Sequence, residues 1–290
     1  CNLVTIRDGV MEDFSAGHIS NSEGAALLAS LTASPGSAAA AFHPGVSYRN
    51  LMVIPGGSGA ETTAPHDIVG EPISGYLPQG PDSSLITRLM EESSRIFSGH
   101  PVNKDRIAAG KRPATHIWPY SSGKRPSIPL FSERWQKTGG MISAVDLLNG
   151  IAGYAGMEII RVPGATGFLD TDYDAKARYA IDALRRLDFV YLHVEAPDEA
   201  GHMGSLEEKL KAIERVDAML GTIMEEFDGR IAVLPDHPTP IRIRTHTADP
   251  VPVAISGLPR DGCTAFSERQ AAGGSLGVLA GPDLLPLLFS

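Results

Sequence analysis

Residues 188–227, DFVYLHVEAPDEAGHMGSLEEKLKAIERVDAMLGTIMEEF, decide the fold. The first nine are almost all apolar or β-prone and predict a buried strand, whereas 206–227 has the periodicity of a long amphipathic helix. Between these segments stand Asp198 and His202, four residues apart with Gly201 between them. We interpret this connection as a loop turning into a helix, rather than as two ligands on one helical turn.

Strands and helices alternate on both sides of this stretch. Segments 157–162, 230–236 and 251–257 predict strands, and 143–156 and 174–187 predict helices, the first closed by Gly156 as a C′ glycine. Alternation of this kind predicts an α/β fold, with parallel strands and helices on both faces.

The first hundred residues predict shorter elements. We expect a helix at 20–32, capped by a Ser or Asn ahead of Glu23, and another at 81–97, capped by Ser83 or Ser84. Segment 46–54 predicts a strand between Pro-Gly turns. Residues 100–140 are locally basic, which fits a solvated linker face or an anion pocket rich in guanidinium groups.

Composition excludes several classes of protein. The chain has 290 residues, which suggests about two domains, and its net charge of -9 argues against a nucleic-acid partner. No apolar run approaches the ~18 residues of a membrane span, so we expect no membrane partner. Two cysteines cannot form a disulfide framework, which favours a reducing, cytoplasmic location.

Acidic and imidazole side chains follow three of the predicted strands. They are Asp198 and His202, then Asp236 and His237, then His246 just before 251–257. Each alone fits a surface loop, a capped turn or a core histidine, but ligand sites in open α/β sheets lie beyond strand ends. Carboxylate and imidazole suit Zn or Mn, and two ions about 4 Å apart would clamp a transferring phosphoryl group. His193 lies within its strand and is expected to be a core or supporting histidine.

The motifs HVEAPDEAGHMG, LPDHPTP and RTHTADPVP resemble those of the archaeal-type cofactor-independent phosphoglycerate mutases of the alkaline phosphatase superfamily. The resemblance extends through CNLVTIRDGVMEDFSAGHIS and MISAVDLLNGIAGYAGMEIIRVPGATGFLDT, so it covers essentially the whole chain. It implies a three-layer alkaline-phosphatase-like core with a smaller inserted α/β cap domain. We expect residues 1–122 to be the substrate-binding cap and residues 123–290 the C-terminal part of the core.

The resemblance also implies the ligand sets. One metal would take Asp198, His202 and His246, and the other would take Asp236 and His237. Two divalent ions are implied, with Mn as the first expectation and Zn or Mg as alternatives, and no 2,3-bisphosphoglycerate is required. In the cap, His18 and Arg49 resemble substrate-binding residues. Lys124 and Arg125, just beyond the cap, are weaker candidates chosen for their charge. The Arg-Asp pair of the bacterial enzymes is replaced by His66-Asp67, which leaves the role of that pair open.

The implied activity is that of a glycolytic isomerase. A serine would take the phosphoryl group of 3-phosphoglycerate and return it to the 2-hydroxyl, giving 2-phosphoglycerate. Nothing in the chain matches that nucleophilic serine or the aspartate of the first core strand. Because the chain also begins at Cys1, we expect it to lack the N-terminal part of the core. The alternatives are a metal-dependent phosphatase or phosphodiesterase of the same superfamily, or an inactive fragment without the nucleophile.

Overall fold

The buried apolar side chains form separate cores. The computed structural model describes residues 1–290 and divides them into two units, Cys1–Arg125 and Pro126–Ser290. The assignment of 1–122 as an inserted cap and of 123–290 as part of the core stays a prediction.

The first unit combines a small antiparallel sheet, a hairpin and three helices. Strands β2, β1 and β5 form the sheet in that order, and β3 pairs with β4. Large side chains such as Leu27, Phe97 and Trp118 are almost fully buried between these elements, and each contributes about 1.5–3 kcal/mol of burial free energy. The elements are β1 (Asn2–Arg7), β2 (Val10–Asp13), α1 (Asn21–Thr32), β3 (Ala41–Pro44), β4 (Asn50–Val53), α2 (Ser83–Ser98), α3 (Pro101–Ala108) and β5 (His116–Trp118).

Helix boundaries in this unit follow local capping chemistry. The Ser20 hydroxyl accepts from the Glu23 backbone N–H while the Glu23 carboxylate accepts from the Ser20 N–H, so α1 begins with the expected capping box. The predicted cap of α2 was wrong: Asp82, not Ser83 or Ser84, precedes the helix, and its carboxylate accepts from the Gly59 N–H. The strand predicted at 46–54 is confined to β4, because Ser47 has a φ of 56° in the preceding turn.

Basic side chains of residues 100–140 lie both in the interior and at the surface of the protein. Arg106 of α3 is 3% exposed; its guanidinium donates to Glu23 Oε2 at 2.8 Å and to the Ala16 carbonyl at 2.6 Å. Arg112 pairs with Glu12 and Asp13. Arg106 therefore joins α3 to α1 and to the Ala16 carbonyl from the interior, whereas the Arg112 side chain is 52% exposed and pairs at the surface.

The second unit has an α/β organisation, as predicted. Helices α5, α6 and α8 agree closely with the periodic segments, and Gly156 has a φ of 68° just beyond α5. The elements are α4 (Phe131–Trp135), β6 (Gly139–Ile142), α5 (Asp146–Tyr154), β7 (Glu158–Ile159), α6 (Tyr173–Leu184), β8 (Phe189–Leu192), α7 (Ala196–Met203), α8 (Leu206–Glu226), β9 (Ala232–Val233), β10 (Ala254–Ile255), α9 (Glu268–Ala271) and α10 (Leu284–Phe289).

Strand β6 is the centre of a three-stranded parallel sheet with the order β7-β6-β8. The connections β6-α5-β7 and β7-α6-β8 cross the sheet in opposite directions. Because such crossovers are right-handed, α5 and α6 cover opposite faces of the sheet. The packing is close at Gly140, where a Cβ would lie 2.8 Å from side-chain atoms of Ile160 and Leu187.

Two predictions about this unit were wrong. Strands β9 and β10 are only two residues long and pair antiparallel in a separate ribbon, although the alternation predicted parallel strands. Asp198 and His202 do not lie in a loop that turns into a helix, since both belong to α7.

No helix of the chain is both long enough and apolar enough to span a bilayer.

Candidate metal centre

Helix α7 brings Asp198 and His202 onto one face, because residues four apart are neighbours on a helix. Pro197 stands in its first turn, where a missing N–H costs nothing, and Gly204 ends it with a φ of 68°. The His202 Nε2 atom lies 3.2 Å from Asp198 Oδ2. The helix follows the carboxyl end of β8 after three residues, so the site begins where a parallel strand ends.

Asp198 is the hub of the site. Its Oδ1 atom lies 3.3 Å from His246 Nε2 and 3.9 Å from His237 Nδ1. The same oxygen accepts a short hydrogen bond from the Thr239 hydroxyl. Asp236 joins the cluster through His237, whose Nε2 lies 3.3 Å from Asp236 Oδ2. The structure therefore brings together all five residues that the sequence nominated as metal ligands.

His246 contacts both of the other histidines. The Nε2 atoms of His202 and His246 are 3.0 Å apart, and the ring centroids of His237 and His246 are 3.7 Å apart. Potential ligand atoms of Asp198, His237 and His246 all lie within 4.8 Å of one another. This trio includes His237, whereas the resemblance grouped His202 with Asp198 and His246. The distances do not separate the five residues into two ligand sets.

The hydrogen-bond roles at His202 fit a bound cation. Its Nδ1 lies 3.0 Å from the Arg244 carbonyl oxygen, which only accepts, so Nδ1 carries the proton. In a neutral ring the Nε2 lone pair then faces Asp198 Oδ2, and both groups present electron density. A divalent ion satisfies both groups, and a backbone carbonyl that accepts from the other ring nitrogen is a usual partner of a metal-binding histidine.

The electrostatic field around the cluster is negative. Burial raises the pKa of Glu195, and the neighbouring carboxylates of Asp198, Glu199 and Asp236 raise it further. The pKa of Tyr191 is raised by burial and by Asp236. Carboxylates and imidazoles in a negative field are the donor set that Zn²⁺ or Mn²⁺ accepts. The residues present therefore fit a divalent metal.

Two glycines of α7 allow the ligand loop to approach. A Cβ on Gly201 would lie 2.4 Å from the Thr239 carbonyl oxygen, and one on Gly204 would lie 2.4 Å from Arg244 Nε. The loop that carries Asp236, His237 and His246 thus packs directly on the backbone of the helix that carries Asp198 and His202. A side chain at 201 would push the two ligand sets apart, because it would meet the Thr239 backbone, whereas the flexible Arg244 side chain could move away from a Cβ at 204.

Sequence reasoning missed Thr239, Lys176 and Lys209. Thr239 is 4% exposed and donates to Asp198, and the two lysines donate to backbone carbonyls of the ligand segments. The HPTP sequence that begins at His237 could have drawn attention to Thr239.

His193 is largely buried, with Nδ1 3.4 Å from Ser143 Oγ and Nε2 3.3 Å from Glu195 Oε2.

The substrate residues nominated by the resemblance lie in the first unit. His18 and Arg49 meet at Tyr48: the His18 and Tyr48 ring centroids are 6.3 Å apart, and Arg49 Nη2 donates to the Tyr48 hydroxyl at 3.1 Å. Phe14 packs edge-on against Tyr48.

His66 reaches that Tyr48 group through Phe14, since the His66 and Phe14 ring centroids are 6.0 Å apart in an edge-on arrangement. The His66 Nε2 atom lies 3.7 Å from Asp67 Oδ1, and its ring packs edge-on against Tyr120. Lys124 and Arg125 are exposed in a segment without helix or strand.

Comparison with known proteins agrees with this geometry. The model of the Metalloenzyme superfamily matches residues 3–290. A metal-dependent enzyme of that superfamily is thus the class that the α/β unit and its Asp-His cluster define.

Proteins of similar sequence indicate which enzyme family within this superfamily includes the chain. A 2,3-bisphosphoglycerate-independent phosphoglycerate mutase of Methanosarcina acetivorans is 47% identical over 99% of this chain and 75% of the relative. A protein of Geobacter sulfurreducens, described as a probable enzyme of the same kind, is 45% identical over 97% of this chain and 72% of its own length. The chain belongs to the family of 2,3-bisphosphoglycerate-independent phosphoglycerate mutases.

Two solved structures share the fold. A protein from Pyrococcus horikoshii has a TM-score of 0.81 and 28% identity, and covers 99% of this chain and 71% of its own. The cofactor-independent phosphoglycerate mutase from Thermoplasma acidophilum has a TM-score of 0.63 and 26% identity, with coverage of 99% and 74%.

Proposed function

We propose that the protein to which residues 1–290 belong functions as a cofactor-independent phosphoglycerate mutase, which interconverts 3-phosphoglycerate and 2-phosphoglycerate in the cytoplasm. The observation that carries the proposal is the convergence of Asp198, His202, His237 and His246, which are far apart in sequence, on one contact cluster. Membership of the mutase family supports the same activity.

The five acidic and imidazole residues would hold two divalent ions, of which Mn²⁺ is our first choice and Zn²⁺ or Mg²⁺ the alternatives. Such ions neutralise charge on a transferring phosphoryl group and activate the attacking oxygen. Asp198 supplies the carboxylate common to the cluster. Thr239 donates to one of its oxygens, which fixes the carboxylate and leaves the other oxygen directed at His202. This fixed carboxylate supports the assignment of the cluster as a metal site.

We assign substrate recognition to cationic and aromatic groups of the first unit. A guanidinium such as that of Arg49 matches phosphate or carboxylate with two parallel hydrogen bonds. The Tyr48 hydroxyl and ring hold this guanidinium beside His18. Lys124 and Arg125 would add positive charge for the same small anionic substrate.

We propose further that the nucleophile is not one of the serines of residues 1–290. The hydroxyl in direct contact with the cluster belongs to Thr239, and it is already bound as a donor to Asp198. The nearby Ser143 hydroxyl instead accepts from the Val145 backbone N–H and lies against His193.

The product formed from 3-phosphoglycerate tests the function. The native protein, supplied with Mn²⁺ and no 2,3-bisphosphoglycerate, is expected to form 2-phosphoglycerate, measured by coupling to enolase. Free phosphate is measured in parallel. Phosphate release that exceeds 2-phosphoglycerate formation would overturn the proposal in favour of a phosphatase, and absence of both products would overturn it outright. Phosphoserine on residues 1–290 in the quenched reaction would contradict the assignment of the nucleophile.

A further inference from the structure

Two lysines from neighbouring helices donate hydrogen bonds to backbone carbonyls of the segments that carry or adjoin the candidate metal ligands. Lys176 of α6 is 1% exposed, and its Nζ donates to the His193 carbonyl at 3.0 Å. Lys209 of α8 is half-buried, and its Nζ donates to the Thr239 carbonyl at 2.7 Å. The first carbonyl lies five residues before Asp198, and the second lies between His237 and His246.

Burying an ammonium group is unfavourable, so these contacts need an explanation. Burial lowers the pKa of Lys176 to about 8, and burial also lowers the pKa of Lys209. Lysine is almost never fully buried unless it is paired. A methionine of similar length would fill the same space without losing hydration, so packing alone does not account for Lys176.

Each lysine contacts the backbone of a segment that carries or leads into the candidate metal ligands. His193 is the residue at which β8 gives way to the turn before α7, and α7 carries Asp198 and His202. Thr239 packs against Gly201 of α7, and its hydroxyl donates to Asp198. A hydrogen bond to the Thr239 carbonyl therefore helps to fix the distance between this loop and α7.

We infer that Lys176 and Lys209 are positioning residues of the metal centre, which fix the two ligand-bearing segments at the separation that metal binding requires. This inference rests on the proposed function, because it presumes that the cluster binds a divalent ion. Neither lysine would touch the substrate or the reacting atoms.

The sign of the effect separates positioning from simple electrostatics. A positive charge near a cation site repels the cation, so removal of either lysine through charge alone would tighten metal binding. Removal of a backbone anchor lets the ligand segments drift, which weakens binding. A loss of affinity therefore identifies positioning.

The test is Mn²⁺ titration of Lys209→Met and Lys176→Met by calorimetry, in the absence of substrate. We expect each variant to bind Mn²⁺ ~10-fold more weakly, by analogy with the loss of outer-shell contacts at other metal sites. Lys211→Met is the matched control: Lys211 lies on the same helix α8, but it pairs with Glu207 and Glu208 on the exposed face. Its affinity should stay within about twofold of the parent value.

Two further measurements keep the outcome decisive. The electron paramagnetic resonance spectrum of bound Mn²⁺ should broaden in the two variants and stay unchanged in Lys211→Met. Circular dichroism of the metal-free proteins establishes folding, and Lys209→Met alone decides the question if Lys176→Met does not fold. Equal or tighter Mn²⁺ binding in a folded Lys209→Met would overturn the inference. Absence of Mn²⁺ binding by the unaltered protein would instead reject the proposed function.

Discussion

Replacement of Asp198 by asparagine is expected to lower the affinity for Mn²⁺ by ~100-fold or more, because even an outer-shell loss costs 10–100-fold. Asp198 is the one side chain that touches His202, His237 and His246 together. Asparagine keeps the shape of aspartate and can still accept the Thr239 hydroxyl, but it supplies no negative charge. Calorimetric titration with Mn²⁺ measures the change.

The same variant should fold at least as stably as the parent protein when no metal is present. The amide nitrogen would donate to His202 Nε2, where the carboxylate oxygen now faces a lone pair. The melting temperature without Mn²⁺ should therefore be unchanged or higher, and its rise on adding Mn²⁺ should disappear, since that rise depends on binding to the folded state. Asp182→Asn on the exposed surface of α6 is the control. Parent-like affinity in Asp198→Asn would remove this carboxylate from the site.

The second large effect is expected at Gly201, where alanine would place a Cβ 2.4 Å from the Thr239 carbonyl oxygen. Overpacking of this kind costs about 1–3 kcal/mol of stability. The displaced loop carries His237 and His246, so Mn²⁺ affinity should fall by ~10-fold or more, as for other losses of supporting contacts. Chemical denaturation and Mn²⁺ titration measure the two effects.

Gly221→Ala provides the matched control on α8. A Cβ at Gly221 would meet no atom within 4 Å, and alanine is favoured over glycine in a helix interior by about 1 kcal/mol. That variant should gain stability and keep its affinity for Mn²⁺. A Gly201→Ala protein that gained stability in the same way would show that the loop does not need to contact α7.

The local sequence pattern was enough to predict the elements that are stabilised by residues close together in the sequence. The helix α1 was predicted through Ser20 and Glu23, which cap each other, and α8 through its long amphipathic repeat. Strand β6 was not predicted, because Gly139 and Gly140 are poor strand formers. Glycine is required at these two positions by tertiary packing, because side chains from flanking segments occupy the space that a Cβ would need.

The direction and length of strands depended on partners that the sequence does not reveal. β9 and β10 pair antiparallel through two residues each, which an alternating pattern cannot distinguish from parallel strands. Helix α7 begins earlier than expected because Pro197 is compatible with a first helical turn, so Asp198 already lies on the helix.

The metal-ligand candidates were predictable because their chemistry and their position after strands both pointed to a site. The supporting residues were not. Thr239, Lys176 and Lys209 are common residue types whose roles depend on a carbonyl or carboxylate supplied by a distant segment. The substrate assignments of His18 and Arg49 came from resemblance and those of Lys124 and Arg125 from their charge, and all four stay predictions.

Anomalous diffraction at the manganese absorption edge, from crystals of the protein grown with Mn²⁺, tests the central claim most directly. The account predicts a strong anomalous peak within bonding distance of the Asp198 carboxylate and of at least one nitrogen of His202, His237 or His246. A well-ordered structure with no such peak, or with Mn²⁺ bound only elsewhere, would contradict it.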